Sequence, residues 1–142
     1  MNPSTELRDL TIQIAHAVSN GDIAVLERHT SHHPGTAFLG TDPDEWWTDL
    51  AGLRRALVGQ HEAGVTFITG DPVAYQQGEV GWAVDHRMRF RVGAQEGPFR
   101  MTIVYRREDG VWKMVHVHSS IGVPNEDAIG VELPTSSLSL NT

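Results

Sequence analysis

The spacing of apolar residues changes once along the chain, near residue 64. Before that point apolar residues recur every three or four positions, as on one face of a helix, and after it they recur at every second position, as in a strand. The first helix shows the earlier pattern, because Leu7, Leu10, Ile14 and Val18 fall on one face and Ser4 can cap its start. The chain therefore predicts helices first and strands later.

Three helices are predicted in the N-terminal part. Asn20-Gly21-Asp22 ends the first helix and supplies a cap for a short second helix over residues 23–26. The third helix is predicted to begin at Asp42, because Asp42-Pro43-Asp44-Glu45 combines a capping acid, a proline at the first helical position and an acid three residues after the cap. Capping is thus the structural alternative to a chemical role for Asp42 and Glu45.

The later part of the chain predicts a run of antiparallel strands that ends near residue 120. Turn signals at Gln77-Gly78-Glu79 and Glu108-Asp109-Gly110 separate the strands, and Gly70-Asp71-Pro72 indicates a bulge or bend. In the strand after Glu79, one face is expected to carry Val80, Trp82, Val84, His86, Met88 and Phe90. The other face carries Gly81, Ala83, Asp85, Arg87, Arg89 and Arg91 and is expected to be solvated or to face a dimer partner. A catalytic base at Asp85 and anion binding by the arginines are the alternatives.

Helices followed by antiparallel strands predict the α+β class, with three N-terminal helices packed on one face of a curved, mostly antiparallel sheet. The chain of 142 residues suits one domain with one core. We expect that domain to span residues 1–123. The remaining residues, 124–142, are rich in Ser, Asn, Pro and Thr and are expected to form a loosely packed tail.

Composition and charge exclude several classes of protein. The net charge is −7 and the basic residues form no block, so neither a nucleic acid nor an anionic membrane surface is an expected partner. The absence of cysteine excludes disulfides, thiolate metal sites and thiol nucleophiles. No apolar run approaches the roughly 20 residues of a membrane helix, and the N-terminus lacks the pattern of a signal peptide. We therefore expect a cytoplasmic protein.

Three stretches resemble the nuclear transport factor 2 (NTF2)-like superfamily, and within it the SnoaL-like and ketosteroid-isomerase-like proteins. The break at Asn20-Gly21-Asp22 between two short helices is similar to the opening of these proteins. The other two stretches are residues 39–47, with the sequence LGTDPDEWW, and residues 112–120, with the sequence WKMVHVHSS. The resemblance covers roughly residues 4 to 121.

The resemblance implies a cone-shaped fold, a homodimer, and a deep pocket between the helices and the concave sheet. The superfamily includes isomerases, polyketide cyclases, dehydratases and epoxide hydrolases, and also binding and association modules without catalysis. Its ketosteroid isomerases use a carboxylate base with a tyrosine and a protonated carboxylic acid as oxyanion donors. In this chain Asp42 lies in the region where the base is expected, and Tyr105 is the candidate hydroxyl donor.

Histidines are the most informative polar residues for chemistry. His116 and His118 are two positions apart on a predicted strand, so they point the same way about 7 Å apart. His86 lies on the more apolar face of a neighbouring strand, and the three could form a polar patch for proton transfer near neutral pH. The alternatives are hydrogen-bonded core histidines, a three-histidine zinc site, or a face directed at a dimer interface.

The leading hypothesis is a small enzyme that performs acid–base chemistry on an apolar molecule bearing a carbonyl or hydroxyl group. His118, His116 and Asp42 are its candidate catalytic residues. The candidate substrate contacts are His86, Tyr105, Trp82, Trp46, Trp47 and Met101. No metal or other cofactor is expected. The alternative is a non-catalytic module for ligand binding or dimerisation.

Overall fold

The computed structural model describes residues 1–133, so residues 134–142 of the predicted tail lie outside the described part of the chain. The helices are α1 (Thr5–Asn20), α2 (Ile23–Arg28), α3 (Leu50–Glu62) and α4 (Asn125–Ile129). The strands are β1 (Asn2–Pro3), β2 (Ala37–Leu39), β3 (Trp46–Trp47), β4 (Thr66–Ile68), β5 (Val73–Gln77), β6 (Val80–Val92), β7 (Gln95–Glu108) and β8 (Val111–Ile121). The described chain thus contains helices first and long strands later, as its periodicity predicts.

The strands form one curved, unclosed sheet in the order β1-β5-β6-β7-β8-β2-β3, and β4 pairs with β6 beside β5. All pairings are antiparallel except that of β2 with β8. The helices pack on one face of this sheet, which is called the inner face below, and the opposite face is the outer face. The predicted α+β class, with helices on a mostly antiparallel sheet, is confirmed.

The first two helices begin and end where their capping residues predict. Ser4 Oγ accepts a hydrogen bond of 3.2 Å from the backbone N–H of Leu7, and Asp22 Oδ1 accepts one of 3.3 Å from that of Val25. Gly21 adopts a left-handed φ of 69°, which ends α1 and is strained for a residue with a side chain. Leu7 is completely buried, so the apolar face of α1 forms part of the core.

The third helix begins seven residues later than the sequence predicts, because Asp49 and not Asp42 is its cap. Asp49 Oδ1 accepts a hydrogen bond of 2.7 Å from the backbone N–H of Gly52. Trp46 and Trp47 lie in β3, where they pair with Leu39 and Phe38 of β2. Two tryptophans suit a strand well, and the cross-strand ladder satisfies backbone groups that a helix start would leave exposed. The acidic stretch 42–45 is therefore the loop between two strands.

A bulge in β6 changes which side chains face the helices. The pairing with β7 shifts register between Asp85 and Met88, so two residues, His86 and Arg87, stand opposite Arg100. Before the bulge the odd-numbered residues are inward, and after it the even-numbered ones are, as the burial of Asp85 and Met88 shows. The prediction that Val80 to Phe90 share one face is therefore wrong. A regular two-residue alternation does not allow for the extra residue of a bulge, which exchanges the two faces of the strand beyond it.

Regular alternation also predicts the wrong position for Asp85. This residue is 1% exposed and does not lie on a solvated face with the arginines. Its Oδ2 accepts a hydrogen bond of 2.8 Å from the backbone N–H of Gly70, and its Oδ1 accepts one of 3.2 Å from that of Arg87. These bonds join the bulge to the segment between β4 and β5. Gly70 is required there, because a Cβ would overlap the backbone carbonyl of Arg87.

A second bulge lies in β8. Val104 of β7 pairs with His116 and the next residue, Tyr105, pairs with Met114, so Val115 is the extra residue. Met114 is buried on the inner face, and beyond the bulge the inner residues are odd-numbered, beginning with Val117. A strand without the bulge would place Trp112, Met114, His116 and His118 on one face, but the extra residue puts the two histidines on the face opposite to Trp112 and Met114.

Candidate functional site

A cavity of about 350 Å³ lies between the helices and the inner face of the sheet. Helices α1 and α3 line it on one side, and strands β6, β7 and β8 line it on the other. The β2–β3 hairpin completes the wall. The two bulges aim the side chains of β6 and β8 toward this cavity, since Met88, Phe90, Val117 and Ser119 all lie beyond the register shifts.

The cavity walls are largely apolar. Aromatic rings come from five lining residues: Phe38, Trp47, Phe67, Phe90 and Phe99. Four lining residues carry polar side chains: Thr41, Glu45, Gln60 and Ser119. Glu45 is the single charged side chain among the described lining residues, which include no lysine, arginine, histidine or aspartate. The site therefore combines a large apolar surface with one carboxylate, an amide and two hydroxyls.

The β2–β3 hairpin places Glu45 at the cavity. Trp47 pairs with Phe38, and the N–H of Gly40 donates a 2.9 Å hydrogen bond to the carbonyl of Glu45. Because side chains alternate along a strand, Glu45 and Trp47 face the same way. A Cβ at Gly40 would overlap the Glu45 carboxyl group, so glycine permits this close approach.

The two oxygens of Glu45 have different surroundings. Oε2 accepts hydrogen bonds from the backbone N–H groups of Thr41, at 2.6 Å, and Asp42, at 3.1 Å. No group within residues 1–133 donates a hydrogen bond to Oε1. One carboxylate oxygen is thus fixed by the loop, and the other retains its capacity to accept hydrogen bonds.

Two of the residues predicted to contact substrate, Trp47 and Met101, line the cavity. Trp47 faces inward because β3 pairs with β2. Met101 faces inward because it lies between the buried Phe99 and Ile103 at every second position of β7, so the three share a face. The other predicted site residues do not line it. Their positions follow from the bulges and from the core packing.

The three predicted histidines lie on the outer face of the sheet, away from the cavity. His116 pairs with Val104 and His118 with Thr102, whereas their neighbour Val117 faces inward opposite the buried Ile103. His116 Nδ1 lies 2.9 Å from the carbonyl oxygen of Ala37, and His118 is exposed. The choice between pocket and outer face, which the sequence leaves open for this pair, is decided by the bulge at Val115.

His86 is exposed in the bulge of β6, and its Nε2 accepts a hydrogen bond of 3.2 Å from Arg87 Nε. Trp82 is also on the outer face, where its ring stacks on that of Tyr75 at a centroid distance of 5.1 Å. The prediction that Trp82 and His86 share a face is right, but this face is not the one that borders the cavity. The inward residues of that part of β6 are the small ones, such as Ala83.

Tyr105 is a core residue with no exposed surface, and it does not line the cavity. Its hydroxyl lies 2.8 Å from Thr11 Oγ1. Because the Thr11 hydroxyl donates its own hydrogen to the carbonyl of Leu7, Tyr105 is the donor to Thr11. Burial raises the pKa of Tyr105 well above its ordinary value, and the hydrogen bond to Thr11 offsets this only in part. The phenol is therefore a satisfied core group.

Asp42 and Trp46 are exposed on the hairpin. Asp42 Oδ1 accepts a hydrogen bond of 3.3 Å from the N–H of Asp44, and its carbonyl accepts one of 3.0 Å from the N–H of Glu45. Asp42 thus shapes the turn, and Glu45 is the acidic residue that reaches the cavity. The acidic stretch 42–45 does contain the cavity residue Glu45, but its residues also match a helix cap, and the sequence alone does not distinguish the two.

A second polar cluster lies near the β7–β8 turn, outside the cavity lining. Glu108 Oε2 accepts hydrogen bonds from Ser31 Oγ at 2.9 Å and from Arg106 Nη2 at 3.1 Å, and His33 Nε2 lies 3.6 Å away. Desolvation opposes ionisation of Glu108, but these hydrogen bonds and the charge of Arg106 outweigh it. The pKa of Glu108 is therefore below its ordinary value.

Within the part of the chain that the structure describes, no group of three or more His, Asp or Glu side chains is arranged to hold a metal ion. None of the helices within residues 1–133 combines the length and the apolar character that a membrane crossing requires.

Helices packed on a curved, unclosed, mostly antiparallel sheet, with a cavity between them, define the NTF2-like superfamily. The model of the SnoaL-like domain matches residues 7–124, and the chain belongs to that family. This fold serves ligand-binding and catalytic proteins, and no specific function follows from it.

Solved structures confirm the fold. An NTF2-like protein of unknown function from Pseudomonas putida KT2440 superposes with a TM-score of 0.72 at 20% identity, covering 87% of this chain and 89% of that one. An NTF2-like superfamily protein from Salmonella enterica gives 0.72 at 16% identity, with 89% and 95% covered. The association domain of C. elegans CaMKII gives 0.65 at 15% identity, with 81% and 92% covered. No curated protein matches the chain.

Proposed function

We propose that the protein binds a small, mainly apolar molecule in the cavity between its helices and its sheet. The observation that supports this is the cavity itself, whose walls are aromatic and aliphatic apart from Thr41, Glu45, Gln60 and Ser119. Ligand sites are commonly concave, mostly apolar, and equipped with a few polar groups that orient the ligand. The cavity volume of about 350 Å³ falls in the lower part of the range for such sites.

The test fills the cavity and compares the effect with an equal change outside it. Val117→Phe adds an aromatic ring in the cavity wall, whereas Thr102→Phe adds a ring of the same size on the outer face. Both proteins would be titrated with 1-cyclohexylethanone and cyclohexylmethanol by calorimetry. We expect wild type and the Thr102 variant to bind, and the Val117 variant to lose at least about tenfold in affinity, which corresponds to about 1.4 kcal/mol.

The stability of both variants would be measured first by thermal unfolding. A folded Val117 variant that binds as wild type does would contradict the cavity as the binding site. Failure of wild type to bind either compound would contradict the proposal for ligands of this size.

Acid–base catalysis is a second candidate function, and Glu45 is the residue that supports it. It is the one titratable side chain among the described lining residues, and a carboxylate beside an apolar cavity can abstract a proton next to a carbonyl group. The test is deuterium exchange at the methyl group of 1-cyclohexylethanone in D2O, followed by NMR. We expect faster exchange with wild type and background exchange with Glu45→Gln. Background exchange with wild type would contradict this candidate.

We also propose a homodimer formed through the outer face of the sheet. This face carries an outer apolar patch of six residues: Val73, Tyr75, Val80, Trp82, Val84 and Val104. Val73 and Val80 are each 49% exposed. A sheet that is half apolar on both faces needs a cover on each, and the helices cover the inner face alone. The solved structure of the association domain of C. elegans CaMKII has the same fold, and its name describes a domain that associates, which supports this proposal.

The dimer would be tested by light scattering of the wild type and of two variants with equal charge changes. Val80→Arg places a cation in the outer apolar patch, and Gln13→Arg places one on the exposed side of α1. We expect dimers for wild type and for the Gln13 variant, and a monomer for the Val80 variant at micromolar concentration. A monomeric wild type would contradict the proposal.

A further inference from the structure

We propose that the cavity selects a small apolar amine, whose cationic head is held by the free oxygen of Glu45; this inference rests on the proposed ligand-binding function. Glu45 is the single charged side chain among the described lining residues. It introduces a negative charge, and no lining lysine, arginine or histidine within residues 1–133 compensates it. The unbalanced charge favours a ligand with a positive charge.

The hydrogen bonds of Glu45 fix the position of the acceptor. Oε2 is held by the backbone N–H groups of Thr41 and Asp42, at 2.6 and 3.1 Å, so the carboxylate cannot rotate freely. Oε1 receives no hydrogen bond from the described residues, and an ionised carboxylate is an acceptor only. A ligand group that satisfies Oε1 must therefore be a hydrogen-bond donor.

The neighbouring aromatic rings favour a cation over a neutral donor. Trp47 of β3 lies two residues after Glu45 and lines the same cavity, and Phe38 is the cross-strand partner of Trp47 on β2. Aromatic faces attract ammonium groups, most strongly in the case of tryptophan. A carboxylate in a cavity that aromatic rings also line thus offers an ammonium group a counter-ion and π faces, while the apolar walls accommodate the hydrocarbon part.

The residues around Glu45 allow its carboxyl group to take this position. Gly40 lies opposite Glu45 in the hairpin and has no side chain to block the folded carboxyl group. Asp44, one residue earlier, is exposed and does not line the cavity. Asp44 therefore provides a matched control, because it has the same charge in the same loop.

The experiment uses four compounds with one shared cyclohexyl body: cyclohexylmethylamine, cyclohexylmethanol, 1-cyclohexylethanone and cyclohexanecarboxylate. They present a cation, a neutral donor, an acceptor and an anion, respectively. Affinities would be measured by calorimetry at pH 7 for wild type, Glu45→Gln and Asp44→Asn. The Gln variant keeps an oxygen for the N–H groups of Thr41 and Asp42 and replaces the free oxygen by an amide donor.

For wild type we expect the amine to bind about tenfold or more tightly than the ketone, and the carboxylate to bind most weakly. Glu45→Gln is expected to remove the preference for the amine, with the ketone bound equally well or better, and Asp44→Asn is expected to behave as wild type. Equal affinities for all four compounds, or an amine preference that survives Glu45→Gln, would overturn the inference and leave the ligand-binding function intact. Failure of all four to bind wild type would overturn the function and the inference together.

Discussion

The hydroxyl of Tyr105 on β7 donates a 2.8 Å hydrogen bond to Thr11 Oγ1 on α1, joining the sheet to the first helix within the core. Tyr105→Phe is expected to lower the free energy of unfolding by about 1 kcal/mol, the scale of one buried neutral hydrogen bond. Ligand affinity should remain unchanged, because Tyr105 does not line the cavity. Urea denaturation and calorimetry measure the two quantities. Lost binding with unchanged stability would instead assign the phenol to a ligand site.

Asp49 and Asp42 are the two candidate caps of α3, and their alanine variants distinguish between them. Asp49→Ala is expected to cost about 1 kcal/mol of stability, because the side chain caps the helix through Gly52. Asp42→Ala removes a longer hydrogen bond of 3.3 Å in an exposed turn and is expected to cost less than half as much. Both values come from urea denaturation. A larger loss for Asp42→Ala would contradict the assigned cap.

His118→Gln tests whether the outer face takes part in ligand binding. Since His118 is exposed and points away from the cavity, the variant should bind 1-cyclohexylethanone with an affinity within about twofold of wild type and unfold within about 0.5 kcal/mol of it. Met101→Ala, which alters the inner face of the neighbouring strand, serves as the contrasting variant. A tenfold loss of affinity for His118→Gln with unchanged stability would show instead that His118 takes part in ligand binding.

Glu108→Gln is expected to lower stability at pH 7 by about 1 kcal/mol, because it removes the charge that Ser31 and Arg106 stabilise. The folded-state pKa of Glu108 is lowered, so its contribution is present above the unfolded value of about 4.3 and is lost as the pH falls through the folded value. The difference between the proteins should therefore shrink below about pH 4. Asp109→Asn, an exposed neighbour, should show no such dependence. A difference that persists at low pH would contradict the assignment.

Local signals in the sequence predict the first two helices and the β7–β8 turn correctly. Ser4 and Asp22 cap the first two helices as expected. Asp109 and Gly110 form the predicted turn with φ values of 51° and 77°. These features depend on a few consecutive residues, and short-range backbone preferences decide them. The change from helical to alternating periodicity likewise predicts the α+β class without reference to tertiary contacts.

Tertiary structure decided which side chains form the candidate site. The extra residues in the bulges of β6 and β8 reverse the facing of everything beyond them, so Met88 and Ser119 reach the cavity while His118 does not. Strand pairing also overrode the capping pattern at Asp42 and brought Glu45 to the cavity. Neither outcome is encoded in a local period, because a bulge and a strand ladder are settled by hydrogen bonds between segments far apart in the chain. The sequence by itself determined the α+β class and the order of its main helices and long strands. The register of the strands, the strand at Trp46–Trp47 and the composition of the cavity came from the packed sheet.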